Sequence, residues 1–178
     1  MANLPGVFLL EPDLHQDDRG WLFEAYNAVT WADMGGPPVD FVQDNHSHSR
    51  MGVVRGIHYQ LGSPQGKLVR VVIGSVWDVA VDLRSSSPTF GRWYGCVLSA
   101  DNRRAIWVPP GFGHGFMVTS DVADVIYKTT TVRSPQHERG IRFDDPDLGV
   151  EWPALSLPPV LSSRDASLGS FREAEVFP

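Results

Sequence analysis

An all-β barrel or sandwich with few short helices is what this sequence predicts, on three observations. The 14 prolines and 17 glycines punctuate short apolar runs throughout, a pattern of many short strands joined by turns. One run, residues 76–83, alternates with period two: Trp77, Val79, Val81 and Leu83 face one way, and Val76, Asp78, Ala80 and Asp82 the other. Strand-like segments recur along the chain without long helical stretches, which leaves sheet packed on sheet or a sheet closed on itself.

In chain order the strands are expected at 7–10, 21–26, 39–45, 53–60, 67–73, 76–83, 92–98, 105–108, 115–118 and 125–131. Apolar and β-branched runs bounded by Gly, Pro, Asn or Asp carry each of them. Gly74-Ser75 reads as a hairpin turn joining the strands on either side. Residues 29–34 read as one short helix before Gly35-Gly36-Pro37-Pro38. After Trp152 the chain is rich in Pro, Ser and Leu and is expected to lie as an irregular strap over the barrel from about residue 153. No repeat, charge block or linker divides residues 1–178, so one domain is expected.

The chain has ample apolar surface for a core: 42% of its residues are hydrophobic and 20% charged. A net charge of −6 argues against a nucleic-acid partner, though a few local arginines can still hold a small anion. The single cysteine, Cys96, excludes an internal disulfide and fits a reducing cytoplasm. The first residues carry no signal-peptide pattern, and no apolar run approaches the roughly 20 residues of a membrane span. A soluble cytoplasmic protein without a membrane partner is therefore expected.

Two motifs carry the chemistry. One is Gly52-Val53-Val54-Arg55-Gly56-Ile57-His58-Tyr59-Gln60, followed by Lys67 and Gly74; the other is Pro109-Pro110-Gly111-Phe112-Gly113-His114-Gly115-Phe116. Together they resemble the paired signature of the cupin jelly-roll barrels, in which two histidines and a glutamate of the first motif and one histidine of the second hold a metal. In this sequence Gln60 and Lys67 stand at the second histidine and the glutamate. A protonated lysine cannot ligate, and the two remaining histidines, His58 and His114, do not make a tight site. His46 and His48 offer a second pair on one strand face. The reading expects no metal. A base beside a fixed cation suits a different reaction, abstraction of a proton next to a carbonyl with the cation steadying the oxyanion.

Longer stretches narrow this further. Gln43-Asp44-Asn45-His46-Ser47-His48-Ser49, the run from Gly52 to Gln60, Gly74 to Arg84, Ser87 to Gly91, Gly111 to Phe116, and Asp145 to Pro153 resemble the dTDP-4-dehydrorhamnose 3,5-epimerase family, in the right order and over nearly the whole chain. The resemblance implies epimerisation at C3, C5 or both of a dTDP-linked 4-keto-6-deoxyhexose, with no cofactor, by a homodimer whose N-terminal strands are exchanged or paired. It implies that His58 is the general base, that Asp165 orients it, that Tyr127 returns a proton from the other face and that Lys67 lies near the ketone oxygen. It also implies that Arg19, Glu24, Gln43, Asn45, Arg55, His114 and Glu138 contact the nucleotide or sugar. Where the family has an aromatic residue stacked on thymine, this chain has Arg133, whose guanidinium plane can also stack on a base.

Two questions stay open at this level. Strict alternation puts Arg55 and His58 on opposite faces of one strand, and Gly56 marks where a bulge would re-aim one of them. A mono-epimerase, a metal-dependent cupin and a non-catalytic sugar-nucleotide binding module remain as alternatives on the same barrel.

Overall fold

The computed structural model describes residues 4–178. It contains strands β1 (Phe8–Leu10), β2 (His15–Asp17), β3 (Gly20–Leu22), β4 (Gln43–Arg50), β5 (Val54–Gln60) and β6 (Lys67–Ile73). After these come β7 (Ser75–Asp82), β8 (Trp93–Ser99), β9 (Ala105–Val108), β10 (Phe112–Val118), β11 (Val122–Thr129) and β12 (Glu138–Gly140). Two short helices, α1 (Ala28–Asp33) and α2 (Ser163–Ala166), and two single turns of 3-10 helix, Pro135–His137 and Phe171–Glu173, complete the regular structure. No helix among the described residues is long and apolar enough to cross a membrane.

The strands form two five-stranded antiparallel sheets, ordered β1-β9-β6-β11-β4 and β12-β5-β10-β7-β8, with β2 and β3 as a separate hairpin. This is the all-β jelly-roll expected from the sequence. Between the sheets lies a core built from Val69, Val71, Ile106 and Val125 on one side and Val76, Ala80, Leu98, Phe112 and Phe116 on the other. The alternation of β7 holds: its opposite face carries Val79 and Val81, buried with Ile57, Tyr59, Leu83 and Ile141. That outer face is covered by the C-terminal strap, through Leu148, Trp152, Phe171 and Phe177. The outer face of the other sheet is covered by Trp31 of α1 together with Tyr26 and Phe41, packed on Leu68 and Trp107.

The connection at Gly74 differs from expectation. It does not close a hairpin; β6 and β7 belong to different sheets, so the turn is the corner by which the chain changes sheet. The corner requires glycine, because its φ is +72° and a Cβ would stand 1.9 Å from the Val122 carbonyl oxygen. Strand β4 also lies further along the chain than its apolar residues suggest. It runs through the polar stretch Gln43–Arg50 because one face lines a polar cavity and the other meets solvent.

The question about Arg55 and His58 is answered by register. His114 pairs with His58 and Phe116 with Arg55, so three steps on β5 match two on β10. The extra residue lies at Gly56, φ +122°, and the bulge turns both side chains toward the same cavity. A Cβ on Gly56 would stand 2.5 Å from Gly115 Cα and 2.7 Å from the His114 carbonyl oxygen, both of them backbone. Gly56→Ala is therefore expected to destabilise the fold by about 2–4 kcal/mol in urea denaturation. A loss under about 0.5 kcal/mol would mean the bulge is easily rebuilt.

Candidate active site

At one end of the barrel a cavity of about 300 Å³ opens between the sheets. Ten of the twelve residues singled out from sequence line it: Gln43, Asn45, Arg55, His58, Lys67, His114, Tyr127, Arg133, Glu138 and Asp165. The polar inner face of β4 and the bulged β5 bring distant stretches of sequence together there.

His58 projects from β5 and is one-third exposed. Its Nε2 donates to Asp165 Oδ1 at 2.5 Å, across 107 residues of sequence. Asp165 is buried on α2, and its second oxygen accepts from Ser162 Oγ at 2.8 Å. Burial alone would raise its carboxyl, but the His58 hydrogen bond and charge, with help from Ser162 and Arg164, outweigh this and hold it below the usual range. With Nε2 bound to a carboxylate, the other ring nitrogen of His58 is left as a proton acceptor.

Tyr127 faces His58 from the opposite sheet, on β11. Burial pushes its hydroxyl above the ordinary tyrosine value, with Arg55 pulling the other way, so it is protonated at neutral pH. Lys67 opens β6, beside β11, and is buried. Burial pushes its ammonium down to about 8, while the charges of Asp78 and Glu138 act to keep it protonated. Among the described residues its one side-chain hydrogen bond is a long 3.4 Å contact to the His58 carbonyl, so its charge is available to a ligand.

Other side chains hold these in place. His114 Nε2 donates to both oxygens of Asp78, at 3.0 and 2.9 Å, and Asp78 is fully buried. Gln60, which stands where metal-binding barrels have a histidine, is a buried clamp. It donates to the Ser63 carbonyl at 2.7 Å and accepts from Ser134 N at 2.7 Å, tethering the loop that carries Arg133. Arg133 is paired through two hydrogen bonds with Glu138, and its backbone N donates to Gln43 Oε1. Glu138 also accepts from Arg164 at 2.7 Å; Arg133 chiefly, with Arg164, holds its carboxyl at about 2. Asp78, Ser162 and Arg164 were not identified from sequence. Ser162 and Arg164 lie just before Asp165 in the sequence, but only the folded turn shows what they touch.

Arg19 and Glu24 lie elsewhere in the chain. Arg19 is at the exposed tip of the β2–β3 hairpin, paired with Asp17. Glu24 accepts from Asn27 and Thr30 and lines a second cavity of about 310 Å³ beside α1. His46 and His48 point away from the main cavity, and each donates to one oxygen of Asp124. Among the described residues no three His, Cys, Asp or Glu side chains are grouped closely enough to hold a metal ion.

A histidine on one sheet bonded to a carboxylate on α2, a protonated tyrosine on the facing sheet and an ammonium beside them share this cavity, an arrangement that can accept a proton at one wall and donate one from the other. Comparison with known proteins identifies the family. The family described as dTDP-4-dehydrorhamnose 3,5-epimerase matches residues 1–173. The chain belongs to that family. A dTDP-4-dehydrorhamnose 3,5-epimerase of Pseudomonas aeruginosa is 52% identical over 175 residues, covering 98% of this chain and 96% of the relative. Among solved structures, a dTDP-6-deoxy-D-glucose-3,5-epimerase from Legionella pneumophila, in complex with dTDP-4-keto-L-rhamnose, superposes with a TM-score of 0.94 at 42% identity. The match covers 97% of this chain and 92% of that one. A 3′-monoepimerase from Streptomyces bikiniensis, in complex with dTDP-quinovose, gives a TM-score of 0.88 at 34% identity, over 96% of this chain and 87% of its own. The dTDP-4-dehydrorhamnose 3,5-epimerase family thus holds this chain by sequence and by fold.

Proposed function

We propose that the protein is a carbohydrate epimerase that inverts C3, C5 or both of a dTDP-linked 4-keto-6-deoxyhexose. The observation that carries this reading is the opposition of His58–Asp165 and Tyr127 on facing sheets of one cavity, with Lys67 beside them. His58 removes the proton from the carbon next to the ketone. Asp165 stabilises the imidazolium that forms, and Lys67 stabilises the enolate oxygen. Tyr127 then delivers a proton from the opposite side, and the carbon inverts. The substrate ketone is itself the electron sink, so the step balances without an oxidant or reductant: one C–H bond breaks, one forms on the other face, and a solvent proton replaces the one removed.

Arg55, Arg133 and Arg164 give the cavity mouth a cationic character suited to a diphosphate. Gln43, Asn45, His114 and Glu138 supply polar contacts to the sugar and nucleotide. Arg133 offers the nucleobase a flat guanidinium face, held in plane by Glu138. The protein acts as a homodimer on this reading, in which a second copy supplies Arg19 from its exposed N-terminal hairpin and Glu24 from the segment that follows it. It works in the cytoplasm, consistent with the free, buried Cys96. Light scattering tests the dimer, and mixing an Arg19→Ala with a His58→Ala subunit tests the sharing: regained activity supports it.

The decisive experiment is incubation with a dTDP-4-keto-6-deoxyhexose in deuterated water, following label at C3 and C5. Label at both carbons is expected of a 3,5-epimerase. Label at one only assigns a mono-epimerase, the activity named for the Streptomyces bikiniensis relative. Binding of the sugar nucleotide by folded protein with no label at either carbon would leave a binding module.

A further inference from the structure

Between Val160 and Gly169 the strap crosses the mouth of the cavity, held to the barrel through its backbone at both ends. Val160 N donates to the Gly52 carbonyl at one end, and Arg142 N donates to the Gly169 carbonyl at the other. The turn α2 lies between these anchors. It is four residues long, and a single helical turn has no independent stability. Its own bonds are local: Asp165 N donates to Ser162 Oγ, and Ser162 Oγ to Asp165 Oδ2.

Two side-chain bonds tie the turn to the barrel among the described residues, and they come from adjacent positions. Asp165 accepts from His58 on β5, and Arg164 donates through its Nη1 to Glu138 on β12. Strand β12 pairs with β5, with Gly140 opposite His58 and Glu138 opposite Gln60. The turn therefore straddles two neighbouring strands. One bond alone would fix a distance and leave the turn free to pivot; the second removes that rotation. The second anchor is itself fixed, because Arg133 holds Glu138 through two hydrogen bonds.

We propose that Arg164 is a positioning residue: its pair with Glu138 pins α2 so that Asp165 stays seated on His58, which links the cavity mouth to the base. This rests on the reading of His58 as the base. It differs from a role for Arg164 as a mere contact for the anionic nucleotide, because a positioning role acts on the protein before any ligand arrives.

The test uses full-length Arg164→Ala, Arg164→Lys and Glu138→Gln, with two readouts. The first is the low-field proton resonance of the His58 Nε2–H in substrate-free protein, assigned by its loss in His58→Ala. The second is kcat and KM for solvent exchange of the keto sugar. In R164A the resonance is expected to broaden or vanish, and kcat to fall by about ten- to a hundredfold, the scale for an ångström of misplacement. R164K should restore much of both. E138Q should reproduce the kcat loss while Arg164 is intact, and it carries the test if R164A does not fold. An unchanged resonance in R164A with only KM raised overturns the proposal. A His58→Ala enzyme that keeps its kcat would instead overturn the reading of the base, leaving the resonance comparison as an independent result.

Discussion

His58→Ala is expected to lower solvent deuterium incorporation into the keto sugar by about 10²- to 10⁴-fold, the range for loss of a general base. No other group replaces it. The facing Tyr127 is held protonated by burial, Lys67 is a cation at neutral pH, and His114, paired with Asp78, is buried where His58 is one-third exposed. The fold should survive, because His58 lines a cavity and its ring is one-third exposed. Its one side-chain partner, Asp165, loses a hydrogen bond that solvent in the opened cavity can replace. Circular dichroism and the urea midpoint check that point. Exchange within a few-fold of wild type, with the fold intact, would remove His58 from the mechanism. Asp165→Asn should change exchange in the same direction.

Lys67→Met should have two opposite effects. Without the ammonium, the developing enolate oxygen loses its nearest cation, and kcat is expected to fall by about 10²- to 10³-fold. Stability is expected to rise. Burial depresses the Lys67 ammonium from its ordinary 10.5 to about 8. Between those values the unfolded chain binds more protons than the folded one, so this group's contribution to stability increases as pH rises through that window and is least favourable below it. At pH 7 the charged lysine therefore costs the fold on the order of 3 kcal/mol, which methionine of similar length removes. Denaturation at pH 7 and pH 10 tests the sign: the gain from K67M should be large at pH 7 and small at pH 10. In the wild-type enzyme kcat/KM should fall above about pH 8 as Lys67 loses its proton. A K67M protein less stable than wild type at pH 7 would mean that the buried charge is a net stabiliser.

The sequence shows most of the sheet framework because local pattern determines it. Strands β6 and β9 have the boundaries their β-branched runs predict, and β7 alternates as read. The three-residue strands β2 and β12 are too short to show a period, and β4 is polar on both faces, so apolar patterning places it too early. Burial of Asp78 and Asp82 is likewise not visible in the alternation, although the partners of Asp82 lie within seven residues of it and that of Asp78 is 36 away. Asp78 is satisfied by His114 and Asp82 by Arg84, Ser87 and Thr89, and only the fold sets those distances. Eight of the ten cavity residues identified through motif order converge because they lie on strands that border it; Arg133, in a loop, and Asp165, on α2, are brought there by the fold. Arg19 and Glu24 lie outside the two main sheets, on a segment whose position strand patterning does not determine. Arg164 carries no signal in the sequence, because an arginine next to an aspartate reads as a solvated surface pair, whereas in the folded turn the two side chains part company, one to Glu138 and one to His58.

His58 and Asp165 are 107 residues apart, and their union closes one of the longer loops in the molecule. Loops of that length close later in folding than neighbouring strands such as β7 and β8, whose pairing is local. A refolding chain is thus expected to pair its neighbouring strands before it arms its base. During that interval Ile57, Tyr59, Val79 and Val81 lack the strap that covers them, leaving an apolar surface open to self-association. Recovery of catalysis should lag behind recovery of strand signal, and the lag measures how long the protein is built but idle.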